Sequence, residues 1–373
     1  MRKYLFEKDH ENLLDLALLY QNSPYSCLHE EYVRTSAKSL PPLKYILYSF
    51  GSLIARPDMI PEGLNNRIEM SHVYYEKAVS YFPLLISNPT VTGVLAMVYI
   101  FHTAARKIAL IIGLKKDHEC QIYFSSALDT AKELGINNEE TLANLSPFDY
   151  ERENIRSIWW VMYQLDSYLI EKAKNLIHDA DNQIYLPLNN EVLLQPKDKK
   201  FALLGRQVIG SEDWYTPGIP NQSLTTYKIL LYRIYRKVLK LFALTQKNAI
   251  KDCNYIVATL QASLNEWKAS LPDYVDNHIQ ILQNNLPIKD PKTTWFVAQL
   301  LVHQNEIRNL LNTPFLLRRL IRETDNLTKI KLFNDSIKIG HDNAKLLSLY
   351  LARNNKFLYT NSVFPAWNFH ILL

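Results

Sequence analysis

Histidines, cysteines and paired acids are the side chains that could do chemistry in this chain, and their spacing decides whether they do. His118-Glu119-Cys120 is its one close His and Cys pair. A zinc site draws thiolates or imidazoles from several positions at turn or helix spacing, and no partner motif accompanies this pair. His29-Glu30-Glu31-Tyr32-Val33 begins like the H-E-x-x-H of a zinc protease and fails at its last position. Cys27 lies two residues before His29, where side chains diverge, so it reads as a small buried residue and not as a nucleophile. Neither G-x-S-x-G nor G-x-x-x-x-G-K-[ST] occurs. The acid pairs Glu30-Glu31 and Glu139-Glu140 are adjacent, so on a helix they point apart toward solvent. His102 sits among apolar residues and reads as a hydrogen-bonded core histidine. No catalytic residue, metal ligand or cofactor site is expected, and the chain does not read as an enzyme.

The composition agrees with that reading. Only 9 of the 373 residues are glycine, which leaves little room for phosphate loops, nucleophile elbows or tight hairpins, all of which need positive φ. Hydrophobic residues make up 47% and charged residues 21%, the balance of a globular protein. The net charge of +5 is mild and by itself calls for neither nucleic acid nor a membrane. Three scattered cysteines, Cys27, Cys120 and Cys253, build no disulfide framework and suggest a reducing compartment. The first ten residues hold no apolar run, so no secretory signal is expected. The most apolar stretch, 92–113, is interrupted by His102, Arg106 and Lys107 and reads as a buried helix, not a membrane span.

Periodicity predicts helices throughout. They are expected at 10–21 and 29–39, from Pro41-Pro42 to near Arg56-Pro57, over Asn65 to Leu85, from Thr90 to Gly113, and from Lys116 to Gly135. The next runs from Phe148 to about Ala173, its apolar stripe formed by Ile155, Ile158, Trp159, Met162, Leu165 and Leu169. Residues 174–223 hold a concentration of Pro and Gly and read as a long linker-like loop. Helices resume over 224–373, with further ones expected at 249–270, 292–312, 329–353 and from Val363 onward. No segment alternates with period two. The expected fold is all-α, a large irregular multi-helix bundle with one long loop.

Two basic stretches could contact acidic partners. Arg233, Arg236, Lys237 and Lys240 share one helix face opposite Leu230, Leu231, Ile234, Tyr235, Val238, Leu241 and Phe242. Such a stripe can meet phosphates, but the broad apolar face behind it favours a solvated surface of a packed helix. The run 314–322, with Arg318, Arg319 and Arg322, reads in the same way as a helix with exposed arginines.

One block is more specific. Residues 126–136, ending in Glu133-Leu134-Gly135-Ile136, resemble a helix closing on "A…A…LG". Arg156-Ser157-Ile158-Trp159-Trp160-Val161-Met162-Tyr163-Gln164-Leu165-Asp166 then resembles the "RR.WW..Y.LD" signature of the fungal-specific transcription factor domain, the middle homology region of zinc-cluster regulators. Asp179, Asp181 and Pro187 fall in a segment similar to that family's "I.D.D….LP". Weaker echoes lie at 27–32, at Trp267 to Pro272 and at Arg308 to Leu316, so the resemblance runs in order along nearly the whole chain. It departs from the family pattern in keeping only Arg156 of the Arg pair, with Asn154 nearby, and at Ser167 and 173–175.

The resemblance implies a single regulatory domain over 1–373, its specific core at 65–190. It implies nuclear residence, control of RNA polymerase II genes, transcriptional co-regulators as partners, a small-molecule effector and homodimerisation. A non-catalytic scaffold that titrates partners is the alternative. The family reads DNA through a six-cysteine zinc cluster, which three cysteines cannot build. Zinc and DNA contact are therefore expected only through a cluster outside these residues, and the chain is expected to be a fragment of a longer regulator or a cluster-less relative. The bottom-up reading of the block is packing: Trp159 and Trp160 project about 100° apart onto two neighbouring helices, Arg156 and Asp166 are expected in buried or half-buried ion pairs with other helices, and Asp179 and Asp181 fix the following loop by bonding backbone groups.

Overall fold

Caps and prolines set the helix boundaries. Asn66 accepts hydrogen bonds from the amides of Ile68 and Glu69 at 2.9 and 3.0 Å and so starts a helix. Pro41 and Pro42 start another, where a missing N–H is harmless. A computed structural model describes residues 7–19, 28–55, 66–111, 117–166, 176–178, 181–187, 224–246, 253–284, 286–287, 291–316, 330–331, 334–335 and 337–342. Among these are thirteen helices and no strand: α1 (Glu7–Leu19), α2 (Glu30–Ser39), α3 (Pro41–Ile54), α4 (Arg67–Val79), α5 (Phe82–Ser87), α6 (Val91–Ile111), α7 (Asp117–Glu133), α8 (Glu139–Leu145), α9 (Asp149–Asp166), α10 (Leu224–Gln246), α11 (Cys253–Ala269), α12 (Asp273–Gln283) and α13 (Pro291–Leu316). The fold is all-α, and none of these helices is long and apolar enough to cross a membrane.

Several boundaries differ from the periodicity. The single helix expected over Asn65 to Leu85 is two, α4 and α5, because Pro83 can neither donate to nor clear the carbonyl four residues earlier. Two short helices, α8 and α12, were not foreseen; α8 is announced by Asn138, whose side chain accepts from the Glu140 amide at 2.8 Å. The expected helix at 329–353 appears as helical turns among the described residues 330–342. Residues 167–175, 179–180, all of 188–223 and the segment from Val363 lie outside the described residues.

The chain forms two compact units. One holds α1 to α9 as far as Leu165 together with 176–187; the other holds Asp166 and α10 to α13. In the first, α6 is buried on every side from Val94 to Phe101, and α9 from Ile158 to Tyr163. A helix apolar all round belongs at the centre of a bundle. In the second, Val275, Val297 and Leu301 pack with Leu224, Leu271 and Ile279, and the Trp267 indole donates to the Tyr227 carbonyl at 2.8 Å, tying α11 to α10.

Two glycines are required by geometry. Gly51 on α3 lies against the backbone carbonyl of Leu13 on α1, which a Cβ would strike. Gly135 ends α7 with φ +68°, where a Cβ would lie 2.7 Å from the Thr141 hydroxyl. Gly135→Ala is expected to lower stability by about 1–2 kcal/mol through backbone strain, and Gly51→Ala by about 1–3 kcal/mol by forcing α1 from α3. Urea unfolding followed by circular dichroism measures both.

Candidate functional site

The residues of the specific block meet around α9. Arg156 is 3% exposed, and an isolated cation cannot be held there. Its Nε donates to both carboxylate oxygens of Glu139 at 3.1 and 2.9 Å, and its Nη2 also donates to Glu139. Its Nη1 donates to Glu153 Oε2 at 2.8 Å, one turn earlier on α9. Burial opposes the charge of this guanidinium, but Glu139 and Glu153 outweigh it and raise the Arg156 pKa above its ordinary value. Glu139 is the first residue of α8, and its Oε2 also accepts from the Tyr185 amide at 3.3 Å. The Tyr185 ring lies 5.8 Å from the guanidinium carbon.

The two tryptophans complete this hub. Both are fully buried. The Trp159 indole donates to Asn182 Oδ1 at 2.8 Å, and the Trp160 indole to the Tyr185 carbonyl at 2.8 Å. Their polar atoms therefore converge on one segment, 181–187, and not on two neighbouring helices. Tyr163 packs edge-on to Trp160 with ring centroids 5.5 Å apart.

The same segment is pinned from its other side. The Glu139 amide donates to the Gln183 carbonyl at 2.8 Å, and the Gln183 amide to the Asn137 carbonyl at 3.1 Å. Asn137 Nδ2 donates to the Asp181 carbonyl at 2.9 Å, and Lys132 Nζ lies 3.2 Å from Asp181 Oδ2. Asp181 also closes its own turn by accepting from the His178 amide at 2.8 Å. Pro187, buried, ends the described part of the segment. Asp179 lies outside the described residues.

Asp166 belongs to the second unit and is fully buried. Arg236 Nη2 donates to its Oδ2 at 2.9 Å. This corrects the basic face expected on α10. Arg236 is drawn inward by the carboxylate, while Lys237 and Lys240 are exposed and Arg233 is half-buried. A solvated stripe of four cations does not form.

The hub also reaches α2. Asn154, near the one arginine that remains of the pair the resemblance expects, is fully buried; it accepts from the His29 amide at 3.0 Å and donates to the Tyr150 carbonyl at 2.9 Å. His29 Nδ1 and the Tyr150 hydroxyl are 2.7 Å apart. Sequence reasoning missed Glu139, Glu153, Asn154 and Asn182. Glu139 was read as one of a solvated acid pair; its place just after an N-cap asparagine and a few residues after Gly135 was the available signal. Among the described residues, no three His, Cys, Asp or Glu side chains gather as a metal set. What this arrangement does chemically is satisfy donors: it holds a non-helical segment against two helices with nearly every polar group matched.

No family model, curated protein or solved structure matches the chain.

Asn182→Leu keeps the volume and strands the Trp159 N–H, and is expected to lower stability by about 1–3 kcal/mol; Trp159→Phe added to it should lose less than the sum, since no donor is left unpaired. Arg156→Met, which leaves Glu153 and Glu139 without their cation, is expected to lower it by about 3–5 kcal/mol. Chemical denaturation of the parent, Asn182→Leu, Trp159→Phe, their double variant and Arg156→Met decides both.

Alkaline pH supplies a second measurement. Burial first, then the negative charge of Glu151, push the Tyr32 phenol up to about 12 from an ordinary 10.0. The fold thus favours the neutral phenol. This contribution is complete below pH 10 and is lost as pH rises toward 12. Tyr32→Phe should flatten the fall in unfolding free energy between those values.

Proposed function

We propose that the chain is the regulatory domain of a transcription regulator of the fungal zinc-cluster type, acting in the nucleus on RNA polymerase II genes. One observation carries this reading: Trp159 and Trp160, which bear the resemblance, hydrogen-bond to the segment that holds Asp181 and ends at the buried Pro187, which bear it too. A signature that recurs as a unit is best explained by a shared piece of architecture. In this reading the chain carries no reaction of its own. DNA is contacted through a zinc cluster supplied by residues other than these, and the helices offer surfaces to transcriptional co-regulators and to a second copy. Control follows if a small molecule or partner binds one helix arrangement better than another.

A second reading is a non-catalytic helical scaffold that titrates partners without sensing a ligand. It is favoured by the sealed state of the hub, whose central side chains are closed to solvent.

Fusing the 373 residues to an unrelated DNA-binding domain tests the proposal in a reporter cell. The expected outcome is a change in reporter transcription of about threefold or more, abolished by Asn182→Leu at equal protein level. An unchanged reporter, with the folded fusion bound at its site, removes the regulatory reading. Capture of co-regulators that no metabolite pool modulates would leave the scaffold.

A further inference from the structure

Helices α4, α5 and α7 of the first unit meet at an aromatic seam. The Tyr75 hydroxyl of α4 hydrogen-bonds to that of Tyr123 on α7. The Phe82 ring of α5 stands against the Tyr123 ring, centroids 4.8 Å apart at 69°. Tyr75 and Phe82 are buried and hold Tyr123, which is half-buried and reaches the surface. A ring fixed in this way has little side-chain freedom left to lose when something covers it.

Two exposed carboxylates flank this ring. Glu119 lies four residues before Tyr123 on α7, so the two share a face, and Glu76 follows Tyr75 on α4. Burial raises the Tyr123 phenol above its ordinary value and the bond from Tyr75 opposes this; the charges of Glu119 and Glu76 then add to the rise, so both carboxylates act on one phenol from different helices. His72 Nδ1 lies 3.4 Å from Glu76 Oε1, but both side chains are more than half exposed, and such a pair is weak enough to be exchanged. Glu119, Ile122, Asp129 and Glu133 fall within about 80° of arc on α7, and all four are exposed. The described cations of these helices are directed elsewhere: Lys77 Nζ lies 4.1 Å from the Tyr45 ring centroid, Lys132 Nζ lies 3.2 Å from Asp181 Oδ2, and Arg67 stands at the first residue of α4, more than two turns before Glu76. The face is therefore acidic, with an aromatic seam beside it and Ile122, 45% exposed, among its carboxylates.

An acidic surface with a phenol in it selects a cation, and a guanidinium above an ammonium. The guanidinium plane stacks on a ring while its edges donate to carboxylates on either side. A neutral amide gains only the stacking, and an anion is repelled. The exposed Ile122 adds a contact for an apolar side chain next to the cation. We propose that the α4–α7 face docks a partner protein through an arginine beside an apolar residue, the guanidinium lying against Tyr123 between Glu76 and Glu119. Ile122 receives the apolar neighbour. The surface belongs to the first unit alone and does not depend on the transcriptional reading.

The probe is the blocked dipeptide acetyl-Arg-Leu-amide, with acetyl-citrulline-Leu-amide as its uncharged shape match. Each is titrated by NMR into the full 373-residue chain, isotope-labelled at its tyrosine rings, with the Tyr123 signal assigned from Tyr123→Phe. The Tyr123 signal should shift saturably with the arginine peptide and not with the citrulline peptide. Glu119→Gln and Glu76→Gln should each weaken the Kd by about threefold or more. Raising sodium chloride from about 20 to about 200 mM should weaken it likewise, since exposed charges are screened. No saturable shift at Tyr123, or a Kd that neither substitution moves, would overturn the proposal. A citrulline peptide that binds as tightly as the arginine peptide overturns it too, and leaves an apolar surface with no choice of charge. If either variant fails to fold, the salt series on the parent decides, and a Kd that salt does not move rejects the docking of a cation.

Discussion

A guanidinium in the middle of a bundle is the constraint from which the first unit's arrangement follows. Arg156 cannot be moved to solvent without unwinding α9, whose flanking residues are closed on every side. It must be neutralised where it stands. Glu153, one turn away, accepts from one of its terminal nitrogens, and Glu139 takes the remaining edge. Because Glu139 opens α8, neutralising Arg156 also fixes where α8 begins, and with it the turn from Gly135. A triad of this kind contributes less to net stability than its short distances suggest, since three charges must be stripped of water. Its effect is to make one arrangement of α7, α8 and α9 acceptable and others expensive.

The indoles extend that constraint to a segment with no helical bonds of its own. Each buried N–H needs an acceptor, and α9 has spent its own carbonyls on its ladder. The acceptors come from Asn182 and Tyr185. The segment's remaining groups then pair with Asn137, Asn138 and Glu139. A stretch whose composition reads as a linker thus becomes, over 181–187, a packed piece of the core. Tertiary hydrogen bonding has overridden the local signal of Pro and Gly.

That override marks the limit of what sequence could say. The helices were legible because apolar residues at three- and four-residue spacing need a common partner, and the burial of Ile158, Trp159 and Met162 follows from that alone. Short helices were not: α8 has seven residues, too few for a periodic stripe, and declares itself only through its cap. Pro83 was legible in principle and splits α4 from α5 by a rule that needs no structure. The partners of charged residues were illegible, because Glu139 and Arg156 are far apart in sequence, and Glu139 beside Glu140 looks like a solvated pair. Arg236 shows the same failure in the second unit. A basic residue on the polar side of a wheel is read as exposed, and only the position of Asp166 reveals otherwise.

The two polar clusters differ in how completely they are satisfied, and that difference bears on where a response to a ligand could arise. Around α9 the indoles find acceptors and the guanidinium donates to two carboxylates. Any ligand entering there must first break bonds it cannot replace, so it would have little differential affinity to offer. Between α10 and α13 one carboxylate oxygen, Glu306 Oε1, is buried without a hydrogen-bond partner. A two-state equilibrium moves only as far as the ligand's preference for one state, and that preference is largest where the unliganded protein has left a polar group wanting. The saturated hub is suited to hold a shape, while the contact of α10 with α13 keeps one polar group still to satisfy.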